Sequence, residues 1–415
     1  MSYPLPMTTA STFTSPALAR VMRGDLCAGC GACAGMAPGK INMQVAAPGF
    51  LRPIQSSVLT AEEEALISAT CPGLGQTVTA NGRTDSVLWG PYVAMETGWA
   101  YDPVVRFAGS SGGALTALLD HLLAAGTVDA VLQTGADPTF PIGNITVISD
   151  HKSSVIEAAG SRYAPSAPLA DLAKWQADGR RFAFVGKPCD VAALRALMRR
   201  DAAFARTFPV VLSFFCAGVP SHKGGNAVLA ALGTGLDQTL TFRFRGNGWP
   251  GQATAIAKNG TSRSMSYHDS WGGILSKYVQ HRCKICADGT GVAADIVCAD
   301  AWETDAQGYP LFADAPGVSL IVARTQQGAA IIAAARAAGL IETAPFNIAH
   351  LARIQPGQRE RRRALWARLA ALHVLRQPVP VYRGLHLWSA ARQNPLTRNF
   401  KNFLGTLRRA LRTWA

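Results

Sequence analysis

Phe182-Ala183-Phe184-Val185-Gly186-Lys187-Pro188-Cys189 is the stretch whose reading decides the fold. Four apolar residues in a row read as a buried strand, Gly-Lys-Pro reads as a turn, and Val191–Arg200 behind it has helical periodicity. A second strand of the same kind, Val210-Val211-Leu212-Ser213-Phe214-Phe215, also runs into a cysteine, Cys216. Further candidate strands are Ala130–Thr134 and Val318–Ala323, and further candidate helices are Gly113–Ala125, Gly225–Leu232 and Gly328–Ala338. Such alternation predicts an α/β layer architecture with a mostly parallel sheet. Parallel strands share one carboxyl edge, where ligands gather, so Cys189 and Cys216 are expected to converge there.

Those two thiols belong to a larger pattern. Eight of the nine cysteines sort into two sets of four. The first is Cys27, Cys30 and Cys33 at x2 intervals with a distant Cys71-Pro72, and the second is Cys189, Cys216, Cys283 and Cys286. Three cysteines at x2 spacing let one loop wrap three corners of an iron–sulfur cube, and a remote Cys-Pro closes the fourth. The position that serves a second cluster in the bacterial ferredoxin run is Ala37 here, so the first loop is expected to hold one [4Fe–4S] cluster. Only Cys283 and Cys286 are close in sequence in the second set, and a tetrahedral zinc site on its four thiolates stays open. Cys298, inside Ile296-Val297-Cys298, reads as an ordinary buried thiol.

At 415 residues the chain has ample size for a core and for more than one unit. Residues 1 to about 85, rich in Gly and Pro breaks with little periodicity, read as a ferredoxin-like iron–sulfur module that leans on its cluster to fold. Residues 86 to about 350 form the α/β unit, and residues 351–415 a basic helical tail. No run approaches a membrane-spanning length. Met1–Arg20 lacks a signal-peptide layout, so clustered cysteines point to metal ligation in a cytoplasmic setting.

Between Leu351 and Ala415 there are 13 Arg and one Lys against the single acid Glu360. That segment therefore holds nearly all of the formal net charge of +14, and the body is balanced. A nucleic-acid-binding core is disfavoured, because no DNA-reading motif accompanies the charge. In 396–414 the residues Leu396, Phe400, Phe403, Leu404, Leu407, Leu411 and Trp414 share one helical face, and Arg398, Lys401, Arg408 and Arg412 the other. Such a helix suits the inner face of an anionic membrane, as peripheral contact, or an acidic partner. It equally suits packing on its own domain with a solvated basic face.

Gly109-Ser110-Ser111-Gly112-Gly113 opens directly into the helix beginning Ala114-Leu115. Small residues at a helix N-terminus admit a phosphate or pyrophosphate, although the same turn also serves as a plain cap. No dinucleotide fingerprint or Walker loop is present. Lys187, beside the cysteine edge, reads either as a charge for a reduced cofactor or as a solvated turn lysine.

As a set, several motifs resemble the coenzyme F420 hydrogenase/dehydrogenase β-subunit family, over roughly residues 25 to 325. They are Ser111-Gly112-Gly113-Ala114, Ser161-Arg162-Tyr163-Ala164-Pro165-Ser166, Gly186-Lys187-Pro188-Cys189, Phe215-Cys216-Ala217-Gly218, Cys283-Lys284-Ile285-Cys286 and Asp300-Ala301-Trp302. Formate dehydrogenase β subunits and 7-hydroxymethyl chlorophyll a reductase are members. The resemblance implies FAD and, from eight cysteines, two [4Fe–4S] clusters. It implies FAD contacts at Ser110, Ser111, Gly112, Gly113, Ser161, Arg162 and Tyr163, with Asn247 and Asp300 as further candidates.

The leading expectation is an oxidoreductase passing electrons from a ferredoxin-type donor through both clusters and FAD to a small organic acceptor. Tyr163, His222 and His268 are candidate proton donors for it. The competing expectation is a non-catalytic electron-transfer subunit wiring a partner subunit to a carrier. Homo-oligomerisation stays open.

Overall fold

The computed structural model describes residues 14–302, 311 and 314–414, with side chains through 411. The apolar runs do form a sheet. In chain order its strands are β1 (Ala94–Ala100), β2 (Ala130–Ala136), β3 (Asn144–Ser149), β4 (Phe182–Gly186), β5 (Val210–Phe214), β6 (Ile296–Asp300), β7 (Ser319–Ala323) and β8 (Ile341–Pro345). Their order across the sheet is β8-β1-β7-β6-β5-β4-β2-β3. The inner strands β2, β4, β5 and β6 are parallel. β3 pairs antiparallel with β2, and β7, β1 and β8 alternate antiparallel beyond β6. Five of the eight strands therefore point one way.

β4 is apolar throughout, and β5 too apart from the buried Ser213, because both of their faces are covered. Phe182 and Phe184 point with Val211 and Leu132 into one core, where Val191, Leu194 and Leu197 of helix Pro188–Met198 meet them. Ala183 and Val185 point with Val210 and Leu212 to the opposite core, covered by Leu118 and Leu122 of helix Ala114–Ala124 and Ile332 of helix Gln326–Ala337. The segment read as a parallel strand over Val318–Ala323 is β7, and it runs antiparallel to β6. A parallel return needs a crossover, usually helical, and among the described residues between β6 and β7 there is no helix.

The first 85 residues hold more regular structure than their breaks suggest. A hairpin pairs Ile41–Ala46 with Phe50–Gln55, and helices occupy Pro16–Arg23, Ala32–Met36 and Ala61–Thr70. A capping box starts the last of these: Glu63 N–H donates to Thr60 Oγ1 (3.1 Å) and Thr60 N–H to Glu63 Oε2 (2.7 Å). A separate antiparallel sheet of Thr239–Arg243, Gln252–Ala257 and Ser262–Ser266 stands beside the main one.

The basic C-terminal segment folds back on the N-terminal one. Val381–Arg383 pairs with Gly75–Thr77, just after Cys71. Leu365, Leu372 and Leu385 share a core with Val21, Leu26, Cys27 and Ile285. Helix Leu396–Trp414 splits its apolar residues between two directions. Phe403 and Leu407 are half-buried, whereas Leu396, Phe400, Leu404 and Leu411 are exposed. Among the described residues no helix is long and apolar enough to cross a membrane.

Candidate functional site

The first thiol set grows from a tight loop. Gly29 (φ +78°) and Gly31 (φ +84°) sit in the left-handed region, which lets the chain reverse between Cys27, Cys30 and Cys33. A side chain at Gly31 would also collide with the backbone of Ala170, 2.7 Å from the position of its Cβ. Cys71 caps the far helix, its N–H donating to Ile67 O (2.9 Å). Cys30 feels the charge of Cys71 and Cys33, and Cys33 and Cys71 each feel that of Cys27, which gathers the four thiols in one region. Burial pushes Cys71 up to about 11, with the Cys27 charge adding to it. All nine cysteines are unpaired thiols.

The second set assembles where the sheet was expected to gather it. Cys189 lies in the first turn of the helix after β4, and Cys216 follows β5 on the same edge. Cys283 sits in the short helix His281–Lys284, and Cys286 just beyond it. Cys189 feels the charge of Cys216 and Cys283, Cys216 that of Cys283 and Cys286, and Cys283 that of Cys286. Burial first, and Cys283 next, push Cys216 up to about 12. Buried thiols bind metal only as thiolates, so the site needs positive charge nearby.

That charge is present between the two sets. Lys187 is buried, not a solvated turn residue: its Nζ meets Asp190 Oδ2 at 2.8 Å and donates to Ser166 Oγ at 2.6 Å. Gln280 bridges the sets, its Nε2 donating to Ala28 O (3.3 Å) and to Cys283 Sγ (3.5 Å). Arg282 donates to the carbonyl of Pro72 (2.8 Å), beside Cys71, while preceding Cys283 in the chain. Burial alone would lower the Arg282 pKa, but the Tyr382 phenol and the thiols of Cys286, Cys189 and Cys283 raise it above its ordinary value.

A strap from the C-terminal segment closes the second set. From helix Pro356–Val374, Gln358 Nε2 and Arg361 Nη1 both donate to Cys216 O at 2.9 Å. The buried Arg362 donates to Ala287 O, next to Cys286. Arg243, Arg245, Gln280, Arg282 and these strap residues were not singled out from sequence. Excess arginine near a C-terminus looks like solvated charge until its carbonyl partners are known.

Among the described residues, no three His, Cys, Asp or Glu side chains converge tightly enough to hold a single metal ion. Two thiolates on one zinc lie within about 4.6 Å, twice the Zn–S bond. A polynuclear cluster spreads its thiolates over different metal atoms, so its ligands need not converge that tightly.

The residues expected to face a flavin are arranged around the helix at Ala114 and a neighbouring cleft. Gly113 (φ +71°) caps that helix, and a Cβ on Gly112 would lie 2.7 Å from Gly98 O and 2.8 Å from Ser319 N. Ser111 Oγ is used internally, donating to Val318 O (2.8 Å). Ser110 Oγ accepts from Ser161 N–H. A cleft of about 550 Å³ gathers Ser161, Arg162, Arg243, Arg245 and Asn247. Burial first, and the neighbouring Arg243 second, bring Arg162 down to about 10. Two guanidiniums facing one space suit phosphate oxygens. Arg162 also holds Gly143 O at 2.8 Å.

The other expected residues do not themselves line this cleft. Asp300 makes a two-point ion pair with buried Arg245, at 2.9 and 3.1 Å. Tyr163 packs its ring on Trp271 and Phe244. His222 stands against Phe140, its backbone N–H on Gly49 O of the N-terminal hairpin. His268 opens the helical turn His268–Ile274. None of the four lines the cleft.

Comparison with known proteins bears on this arrangement. A family model for the N-terminal part of the coenzyme F420 hydrogenase/dehydrogenase beta subunit matches residues 95–174, and the companion model for the C terminus of that beta subunit matches residues 179–348. Together they take in more than half of the chain. The coenzyme F420 hydrogenase subunit beta of Methanococcus voltae is 27% identical over 260 residues, 61% of this chain and 85% of that protein. A chain of the xenon-derivatised F420-reducing [NiFe] hydrogenase complex from Methanosarcina barkeri superimposes with a TM-score of 0.51 at 20% identity. The match covers 68% of this chain and 96% of that one, a likeness of fold.

Proposed function

Since the chain belongs to the coenzyme F420 hydrogenase/dehydrogenase β-subunit family, we propose that it is the iron–sulfur and flavin-carrying electron-transfer subunit of a larger redox complex. Relatives are oxidoreductase subunits of hydrogenase type, which supports this reading over a free-standing enzyme. The observation that carries it is the pair of four-thiol sets, linked through Gln280. Bound there, [4Fe–4S] clusters supply one-electron carriers, and FAD the exchange between one- and two-electron chemistry.

The chain's own residues do the rest. Cys27, Cys30, Cys33 and Cys71 hold one cluster, and Cys189, Cys216, Cys283 and Cys286 the other, in surroundings that exclude water. Gly112 and Gly113 let the start of the helix at Ala114 pack against the backbone of Gly98, Ser319 and Val105, and Arg162 with Arg243 offers charge to phosphate. The partner is a ferredoxin-type donor or a neighbouring redox subunit. Oxygen-free purification with iron, sulfide and flavin counting tests the inventory, with about eight irons and one FAD per chain expected. About four irons or fewer overturns the two-cluster inventory. Turnover of a defined organic substrate by the chain alone would restore the enzyme reading.

Helix Leu396–Trp414 carries a second element of the proposal. Phe400 and Leu404 point outward beside exposed Lys401 and Arg408, and the helix has no acid. That face supports peripheral contact with an anionic bilayer. Sedimentation with phosphatidylglycerol vesicles, but not phosphatidylcholine vesicles, is expected, with loss in Phe400→Glu/Leu404→Glu. Equal sedimentation of that variant refutes it.

A further inference from the structure

Arg282 is the buried cation common to the two thiol sets. Only 3% of it is exposed, and its Nη2 is fixed on Pro72 O at 2.8 Å. Its Nε and Nη1 are buried with no hydrogen-bond partner. The Tyr382 ring, 5.8 Å from the guanidinium carbon, lies beside it. The Arg282 guanidinium thus reaches the carbonyl that directly follows Cys71 of one set, while its own backbone directly precedes Cys283 of the other in the helix His281–Lys284.

The neighbouring cations are differently placed. Lys187 is neutralised by Asp190 at 2.8 Å, and Arg52 by Asp25 at 2.9 Å. Arg361 spends its donors on the carbonyls of Cys216 and Ala217. Among the described residues no carboxylate pairs with Arg282. A buried charge with two idle N–H groups is stable only beside a matching anion. Thiolate-ligated iron–sulfur clusters are anionic, and each gains one more negative charge on reduction.

We propose that Arg282 is the shared counter-charge of both clusters, and that by stabilising the added electron on either it raises both reduction potentials. The inference rests on the two-cluster reading above. One charge reaching two centres couples them, because a change at this position moves both together. Its unpartnered Nε and Nη1 would be free to donate hydrogen bonds to cluster sulfur, a further influence in the same direction.

The test uses the full chain purified without oxygen. Iron and sulfide are counted first, so that a wild-type preparation with only one cluster refutes the two-cluster reading rather than this one. Redox titration followed by electron paramagnetic resonance then compares wild type with Arg282→Lys, Arg282→Gln and Arg282→Met. Both cluster signals are expected to move to lower potential in the neutral variants, by about tenfold in the reduction equilibrium or about 59 mV. Arg282→Lys stays near wild type. A shift in one cluster only, in neither, or equally in all three variants overturns the proposal. Should the neutral variants lose iron, retention in Arg282→Lys supports it and loss from all three refutes it.

Discussion

Lys187 and Asp190 form a buried ion pair, Nζ to Oδ2 2.8 Å, within the single turn that carries Cys189. Asp190 Oδ2 also accepts the Lys187 backbone N–H at 2.9 Å, so one carboxylate fixes both the side chain and the start of the helix. Burial favours the neutral form of each partner, and their mutual attraction opposes it. Removing one partner leaves the other charged and dry. Asp190→Asn is expected to cost about 3 kcal/mol or more, read as a fall in the thermal midpoint, with Lys187→Met/Asp190→Leu recovering much of the loss. A melting curve unchanged in Asp190→Asn would rule this out.

The two thiol sets should fail independently. Cys30→Ser and Cys189→Ser are each expected to lower the iron count by about half, from about eight to about four per chain. Cys298, on β6 in the core with Leu212 and Ile321, belongs to neither set. Burial holds its thiol up at about 12, and Cys298→Ala is expected to keep full iron at a stability cost of about 1 kcal/mol. Loss of iron in Cys298→Ala would reassign that residue.

Gly112 stands where β1 and β7 meet the helix at Ala114. A methyl group there meets Gly98 O and Ser319 N at under 3 Å, both of them backbone atoms that cannot swing away. Gly112→Ala is expected to destabilise by about 1–3 kcal/mol and to reduce bound flavin several-fold, measured by absorbance per chain. Full flavin content in that variant would remove the turn from the cofactor site.

His222 joins the N-terminal hairpin to the body and is held below its ordinary pKa by burial, with Asp137 pulling the other way. The unfolded chain therefore takes up a proton first. The contribution of His222 to stability is complete above about pH 6.5 and is lost as pH falls through that value toward its folded pKa. His281 is lowered too, chiefly by burial, so His222→Gln is expected to flatten part of the fall in melting temperature between pH 7 and 5.5. An unaltered pH slope would assign the effect elsewhere.

Much of the inner sheet could be read directly. β4 is apolar on both faces and β5 nearly so, with Ser213 its one polar residue, and the helix behind β4 carries clear periodicity. β1, with Glu96, Thr97 and Gly98 at its centre, and β8, exposed along most of its length, give no such run, because strand pairing and not side-chain burial holds them. The Thr60–Glu63 capping box was present in the sequence and outweighed by the surrounding glycines and prolines. Cys189 and Cys216 could be placed because parallel strands share an edge. Arg282, Arg361 and Arg362 could not, since their partners are backbone carbonyls far away in the chain. The fold-back of the arginine-rich end was hidden for the same reason.

The strap of Gln358, Arg361 and Arg362 over Cys216 and Ala287 has a temporal side. During synthesis every thiol emerges well before the helix that covers half of them. Until that helix arrives the second cage stands open to incoming iron and sulfide, and its docking then shuts the door. Closure of the second cage is thereby tied to completion of the chain, because Gln358, Arg361 and Arg362 follow every cysteine in the sequence.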